Sequence, residues 1–140
     1  MEEYIIRESS FDDLDDIINI IGSEFSETQA NQRKWWSMKS DRKIKVYVYE
    51  YKGYVRGVAS LYILEKLMHN GSNVGLIEDV AVASNSQGMG IGRLLINKLV
   101  EIAKEERCYK VILNCSDKNV GFYEKCGFSQ REVQMRIDID

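Results

Sequence analysis

A chain of 140 residues with 44 % hydrophobic and 29 % charged residues suits one soluble folded domain, expected to occupy 1–140. Its net charge of −3 speaks against a nucleic-acid partner, and no apolar run approaches the roughly 20 residues of a bilayer span. Three cysteines, Cys108, Cys115 and Cys126, form no Cys-x-x-Cys pair, and with His69 as the single histidine they predict no metal site.

The opening Met1-Glu2-Glu3-Tyr4 is acidic and unlike a secretory leader, so a cytoplasmic protein is expected. Residues 4–8 alternate apolar and polar, as a short strand does. Ser9 or Ser10 can cap a helix whose Phe11, Leu14, Ile17, Ile18 and Ile21 recur at helical spacing. A second helix is expected over 28–38, where Trp35 and Trp36 read as core or dimer packing. Residues 44–51 and 54–64, rich in Val, Tyr and Ile, predict a hairpin turning at Lys52-Gly53, with Tyr47, Tyr49 and Tyr51 on one face. Another strand is expected at 74–82. A helix follows the glycine-rich stretch 85–92, with Ile91, Leu95, Leu99 and Ile102 on one side. Then come a strand at 109–115, a short helix at 117–126 stopped by Gly127, and a final strand at 128–139. The thiols read as reduced and mostly buried, Cys115 and Cys126 as small core fillers. The fold class is α+β with a mixed sheet.

Chemistry concentrates at Gln87-Gly88-Met89-Gly90-Ile91-Gly92, between a strand and an amphipathic helix. Glycines there permit a tight turn and leave N–H groups unobstructed, while a helix start adds unpaired donors and partial positive charge. That combination is an anion cradle suited to a pyrophosphate. The plainer alternative is a connector that merely lets a helix pack closely. A Walker loop needs Lys-Ser/Thr after its last glycine, where this chain has Arg93-Leu94. A dinucleotide fingerprint needs Gly-x-Gly-x-x-Gly early in a βαβ unit, and here the spacing is Gly-x-Gly-x-Gly, late in the chain.

The motif at 87–92 resembles the Gln/Arg-x-x-Gly-x-Gly/Ala signature of the GNAT family of N-acetyltransferases, and the element order matches over nearly the whole chain. Blocks at Glu65-Lys66-Leu67-Met68-His69, Ile77-Glu78-Asp79-Val80-Ala81-Val82, Cys108-Tyr109-Lys110-Val111-Ile112-Leu113 and, above all, 118–128 are similar to the eukaryotic-type glucosamine-6-phosphate N-acetyltransferases. The resemblance is dense over 65–135.

What it implies is a sheet with a splayed strand pair that admits acetyl-CoA, and no metal. Gln87, Gly88, Met89, Gly90, Ile91 and Gly92 would hold the pyrophosphate. Val80, Ala81 and Val82 would offer backbone groups to the pantetheine arm, with Asn119 in support. Tyr123 would lie near the CoA sulfur and protonate the leaving thiolate. Glu78 and Asp79 would face the sugar, one of them accepting the amine proton, and Lys66, His69, Asn114 and Arg136 would complete the acceptor site. The product would be N-acetyl-D-glucosamine 6-phosphate, on the route to UDP-N-acetylglucosamine, and the subfamily implies a homodimer. Such chemistry needs a neutral amine, a polarised carbonyl and a proton for the thiolate, all by positioning in a ternary complex.

Taken singly, each of these residues has a plainer reading. Tyr123 can be a packed helix residue, Glu78-Asp79 a polar strand end, and Lys66 with His69 a solvated loop. A cysteine nucleophile would require His69 as its partner base. Two positions depart from the subfamily. Asn114 stands where an acidic residue is usual, and Asp138 where a basic one is usual, with Arg136 two places earlier on the same strand face. Both lie on the sugar-phosphate side. They keep open a GNAT enzyme for another small amine or a lysine. A silent acyl-CoA-binding module is a further alternative, although it would need only the pyrophosphate loop.

Overall fold

The computed structural model describes residues 3–22 and 28–139; Met1 and Glu2, part of the leader argument, lie outside them. The alternating stretch Tyr4–Glu8 is β1, the edge of a five-stranded sheet ordered β1-β2-β3-β4-β5. β2 (Ile44–Tyr51), β3 (Tyr54–Leu64) and β4 (Asn73–Val82) continue it antiparallel, and β5 (Cys108–Leu113) joins β4 in parallel. The mixed sheet is the expected one. Lys52 (φ 52°) and Gly53 (φ 79°) form the hairpin turn, the left-handed pair that matches strand twist.

Chain entry to the first helix is fixed by charge. A 3₁₀ turn at Phe11–Asp13 leads into α1 (Leu14–Ile21). Asp13 accepts from the Ser10 N–H at 2.7 Å, closing a capping box. Arg7 reaches the same carboxylate through two nitrogens, at 2.7 and 2.9 Å, and also holds Glu50 at 2.9 Å. Burial pushes the Asp13 carboxyl up, but the Arg7 hydrogen bonds and charge, with Ser10, outweigh it, and the net shift is downward. Asp13→Ala removes a cap worth about 1 kcal/mol and charge-assisted bonds worth about 1.5–3 kcal/mol. The expected loss is roughly 2–4 kcal/mol, read as a lower urea midpoint. Because the folded pKa is depressed, this contribution is present above the ordinary carboxylate range and disappears as pH falls through the lower folded value. The substituted protein should therefore lose less stability on acidification than the parent.

α2 (Thr28–Lys39) is tied to the end of β1 by Lys39, whose ammonium meets Glu8 and the Ser9 carbonyl, each at 3.1 Å. Trp35 is buried, as a packing residue should be, whereas Trp36 is 55 % exposed beside Phe11.

α3 (Ile91–Glu105) covers one face of the sheet through Ile91, Leu95, Leu99 and Ile102, all buried, the face its periodicity marked. Tyr47, Tyr49 and Tyr51 pack into the same cluster. α1 covers the other face, setting Ile17 on Val48 and Val58. The close seating of α3 depends on Gly57: a Cβ there would stand 2.7 Å from Ile91 Cγ2. A 3₁₀ turn at Asp117–Asn119 and α4 (Val120–Lys125) complete the order, with Gly127 at φ 99° as the stop.

Two expectations are corrected. Residues 128–139 form no strand, because a strand is a property of pairing and this segment has no ladder partner among the described residues. Its alternating Val133, Met135, Ile137 and Ile139 stand 83–88 % exposed. Cys115 is no core filler either, being exposed, whereas Cys126, like Cys108, is half-buried and packs against the core cluster. β5 stops at Leu113, which leaves Asn114 and Cys115 beyond the sheet in solvent.

Candidate active site

The site is built where β4 outruns β5. Their parallel pairing ends at Ile77–Leu113, yet β4 continues to Val82. From Glu78 onward the β5-side edge of β4 has no strand beside it among the described residues, because β5 ends at Leu113; this open edge stands where the splay was expected, at Val80, Ala81 and Val82. The other edge stays paired to β3, with one irregularity. Ser60 pairs with Glu78 and Val58 with Ala81, so β4 carries an extra residue at this point. Asp79 takes it up at φ 54°, a left-handed conformation that aspartate tolerates better than most residues. Such a bulge re-aims side chains at the exact level where the cleft opens.

At the end of β4 the chain makes a 3₁₀ turn at Ser84–Ser86 and passes Gly88 (φ 79°) and Gly90 (φ 80°) into α3. Gly90 is the cap residue and offers no side chain; the first turn of α3 holds no acidic residue. The N–H groups of Ile91, Gly92 and Arg93 have no intrahelical acceptor, and the dipole is unneutralised. These features fit a diphosphate. Gln87 braces the loop by donating to the Val82 carbonyl at 3.3 Å. Nothing lies within 4 Å of a Cβ placed on Gly90, so the requirement there is conformational. Gly90→Ala should cost about 1–2 kcal/mol in the bound loop geometry. The expected reading is roughly tenfold weaker binding, by calorimetry, of the acetyl-CoA that the family resemblance implies.

α4 closes the far side. A Cβ on Gly92 would stand 3.1 Å from Phe122 Cζ and 3.8 Å from Val82 Cγ2, so α3, α4 and the end of β4 meet there. Tyr123 is half-buried, with Phe122 and Phe128 edge-on at 4.9 and 6.1 Å. Burial, then the neighbouring Cys115 and Cys126, push its hydroxyl above the ordinary tyrosine value, so it stays protonated at neutral pH. Asn119 stands at the N-cap position of α4 without a capping side-chain hydrogen bond, and its amide donates to Ser116 Oγ at 3.3 Å. Burial also raises the Cys126 and Cys108 thiols, the reverse of what activates a nucleophile.

Glu78 and Asp79 line an open cavity of about 410 Å³ together with Tyr62, Leu64 and Leu76. Tyr62 was missed by the sequence reading. Its phenol is raised by burial, then by the charges of Asp79 and Glu78. The signal was present in the register: Tyr62 pairs with Leu76, two residues from Glu78 on the same face. Lys66 lies in the exposed loop after β3. His69 stacks on Tyr109 at 4.0 Å, beyond the start of β4 and roughly 17 Å along the strand from Glu78 at about 3.3 Å per residue. Asn114 is exposed just past β5, and Arg136 is paired with Asp138 at 2.7 Å in the exposed tail. One copy of the chain thus brings Glu78, Asp79 and Tyr62 together, and does not bring His69 or Arg136 to them. Among the described residues no cluster of three His, Cys, Asp or Glu side chains could hold a metal, and no helix is long and apolar enough to cross a membrane.

A family model described as the acetyltransferase (GNAT) family matches residues 11–128. The chain belongs to the GNAT family. Within it, the chain is similar to the glucosamine 6-phosphate N-acetyltransferase of Candida albicans, 47 % identical over 83 residues, 59 % of this chain and 56 % of that protein. It is similar also to the enzyme of that name from Trypanosoma brucei brucei, 46 % identical over 95 residues, 68 % of this chain and 65 % of that one. The match therefore spans less than two thirds of either relative. The crystal structure of glucosamine-6-phosphate N-acetyltransferase from Arabidopsis thaliana superposes with a TM-score of 0.91 at 31 % identity, over 99 % of this chain and 100 % of that one. The GNAT fold expected from the motif at 87–92 is the fold found.

Proposed function

We propose that this protein transfers the acetyl group of acetyl-CoA to the amine of D-glucosamine 6-phosphate, yielding N-acetyl-D-glucosamine 6-phosphate for UDP-N-acetylglucosamine synthesis. The carrying observation is the free edge of β4 lying between the uncapped start of α3 on one side and the Glu78-Asp79 cavity on the other. The named relatives support the acceptor. In this reading the 87–92 amides bind the diphosphate of acetyl-CoA, which supplies the acetyl group. Val80, Ala81 and Val82 align the pantetheine arm, with Asn119 supporting the cofactor from the start of α4. Glu78 or Asp79 takes the amine proton, Tyr123 gives one to the departing sulfur, and no covalent enzyme intermediate forms. Lys66 and Asn114 contact the sugar phosphate from the same copy, and His69 and Arg136 reach it from a second copy.

The assembly is a homodimer in the cytoplasm. Its support is the alternating apolar tail at 133–139, which a second copy would cover, bringing Arg136 within reach of the partner's site. A second reading, acetylation of another amine, is favoured by the neutral, exposed Asn114 and by the engagement of Arg136 with Asp138.

Thiol release from acetyl-CoA with glucosamine 6-phosphate, glucosamine, spermidine and a lysine peptide decides between them. Preference for glucosamine 6-phosphate is expected. A higher kcat/KM for any other amine hands the site to the second reading, and acetyl-CoA binding without turnover would reduce the chain to a binder.

A further inference from the structure

Arg56 stands at an irregularity in the hairpin. Tyr49 pairs with Gly57 and Glu50 with Val55, so Arg56 is an extra residue on β3 with no cross-strand position of its own. Its guanidinium carbon lies 5.7 Å from the centre of the Tyr51 ring and 5.6 Å from that of Tyr54. Nη1 donates to Ser86 Oγ at 3.3 Å, and Ser86, only 1 % exposed, donates onward to Asn85 Oδ1 at 3.0 Å. The Arg56 carbonyl accepts from the Ala83 N–H at 2.8 Å. Main chain and side chain of one residue therefore both grip the 83–86 turn, which leads directly into the 87–92 cradle.

Hairpin packing alone does not account for this arrangement. The Tyr51 ring already carries Lys52, whose ammonium lies 5.3 Å from its centre. Arg56 Nε, moreover, is buried without a partner among the described residues, an unfavourable placement that a surface hairpin would have no reason to keep. Ser86 uses its one hydroxyl proton on Asn85 and has lone pairs left for Arg56, so the two contacts are compatible and directional. Among the described residues no other side chain donates into the 83–90 segment from another strand. The cradle itself contains Gly88 and Gly90, which add freedom that something must remove before an anion binds.

We propose that Arg56 is a positioning residue for the acyl-CoA site, acting through Ser86 to hold the 87–92 cradle in its binding conformation before the ligand arrives. The inference rests on that loop being the acetyl-CoA cradle. Ordering a loop in advance removes a cost otherwise met on binding.

Titration calorimetry of acetyl-CoA into the full chain tests it, using the parent, Arg56→Met, Arg56→Lys, Ser86→Ala and the Arg56→Met/Ser86→Ala double variant, each checked for its thermal midpoint. Arg56→Met and Ser86→Ala should each weaken binding about 3- to 10-fold, and the double variant no further than the worse single. Arg56→Lys keeps the charge without the planar fork and should resemble Arg56→Met. KM for the acceptor amine should stay unchanged. Parent-like affinity in Ser86→Ala, additive losses in the double variant, or full rescue by lysine would each overturn the proposal, as would a fall in thermal midpoint with affinity intact. Absence of acetyl-CoA binding by the parent would instead overturn the reading of the loop, and this inference with it.

Discussion

Tyr123→Phe is expected to lower kcat by about 10²-fold or more while leaving acetyl-CoA affinity within twofold of the parent, the range in which a positioned general acid contributes. The substitution removes one oxygen and nothing else. The ring remains between Phe122 and Phe128 and against the core cluster, so α4 keeps its packing. The pH dependence carries the sign. An acid works while protonated, and burial raises the Tyr123 pKa above its ordinary value, so the parent's activity should fall only at pH above the usual tyrosine range. Activity of the phenylalanine variant should lack that alkaline limb. A kcat within threefold of the parent, with the limb retained, would take Tyr123 out of the proton-transfer step and leave it a packing residue.

How far the chain could be read before its fold was seen depends on the range of the interactions involved. The β2–β3 hairpin, the buried stripe of α3 and the 87–92 loop are local patterns: alternation, a 3.6-residue period and glycines at a strand-to-helix junction. They were legible, and the family resemblance followed from the last of them. The residues that escaped depend on register. Tyr62 enters the cavity because it pairs with Leu76, and Arg56 reaches Ser86 because Tyr49 pairs with Gly57 and displaces it from the ladder. Neither residue type is unusual for a strand, and nothing nearby in sequence marks them. Asp79 is an intermediate case. Its acidic character was noticed, but its left-handed backbone arises only from the unequal spacing of β3 and β4.

The tail misled for a physical reason. Val133, Met135, Ile137 and Ile139 alternate as a half-buried strand would, and alternation records which face meets an apolar surface, not which chain supplies it. Cys115 misled because residue type is a poor guide to burial at a strand end. Cys115 would be interior only if β5 ran two residues further than Leu113.

Glu78→Gln and Asp79→Asn together should lower kcat/KM for the acceptor by about 10²- to 10⁴-fold, the second large effect expected of this site. Both carboxylates line the cavity at the level where β4 loses β5, the place where the proposed reaction sets the acceptor amine. The choice of replacements follows from the backbone. Asparagine, like aspartate, tolerates the left-handed conformation at position 79, whereas alanine would add about 1 kcal/mol of strain and confuse a chemical effect with a structural one. Glutamine keeps the size of Glu78 and its hydrogen-bonding reach but cannot take up a proton. The amine must lose a proton to become a nucleophile, so a variant without a base depends on the neutral fraction of free amine. Its rate should keep climbing with pH where the parent's has levelled off. The single variants then divide the role: the one whose profile acquires that slope identifies the proton acceptor, and the other, with an ordinary profile and a raised acceptor KM, binds the sugar. Unchanged profiles in both would assign proton removal to solvent and reduce the pair to binding groups.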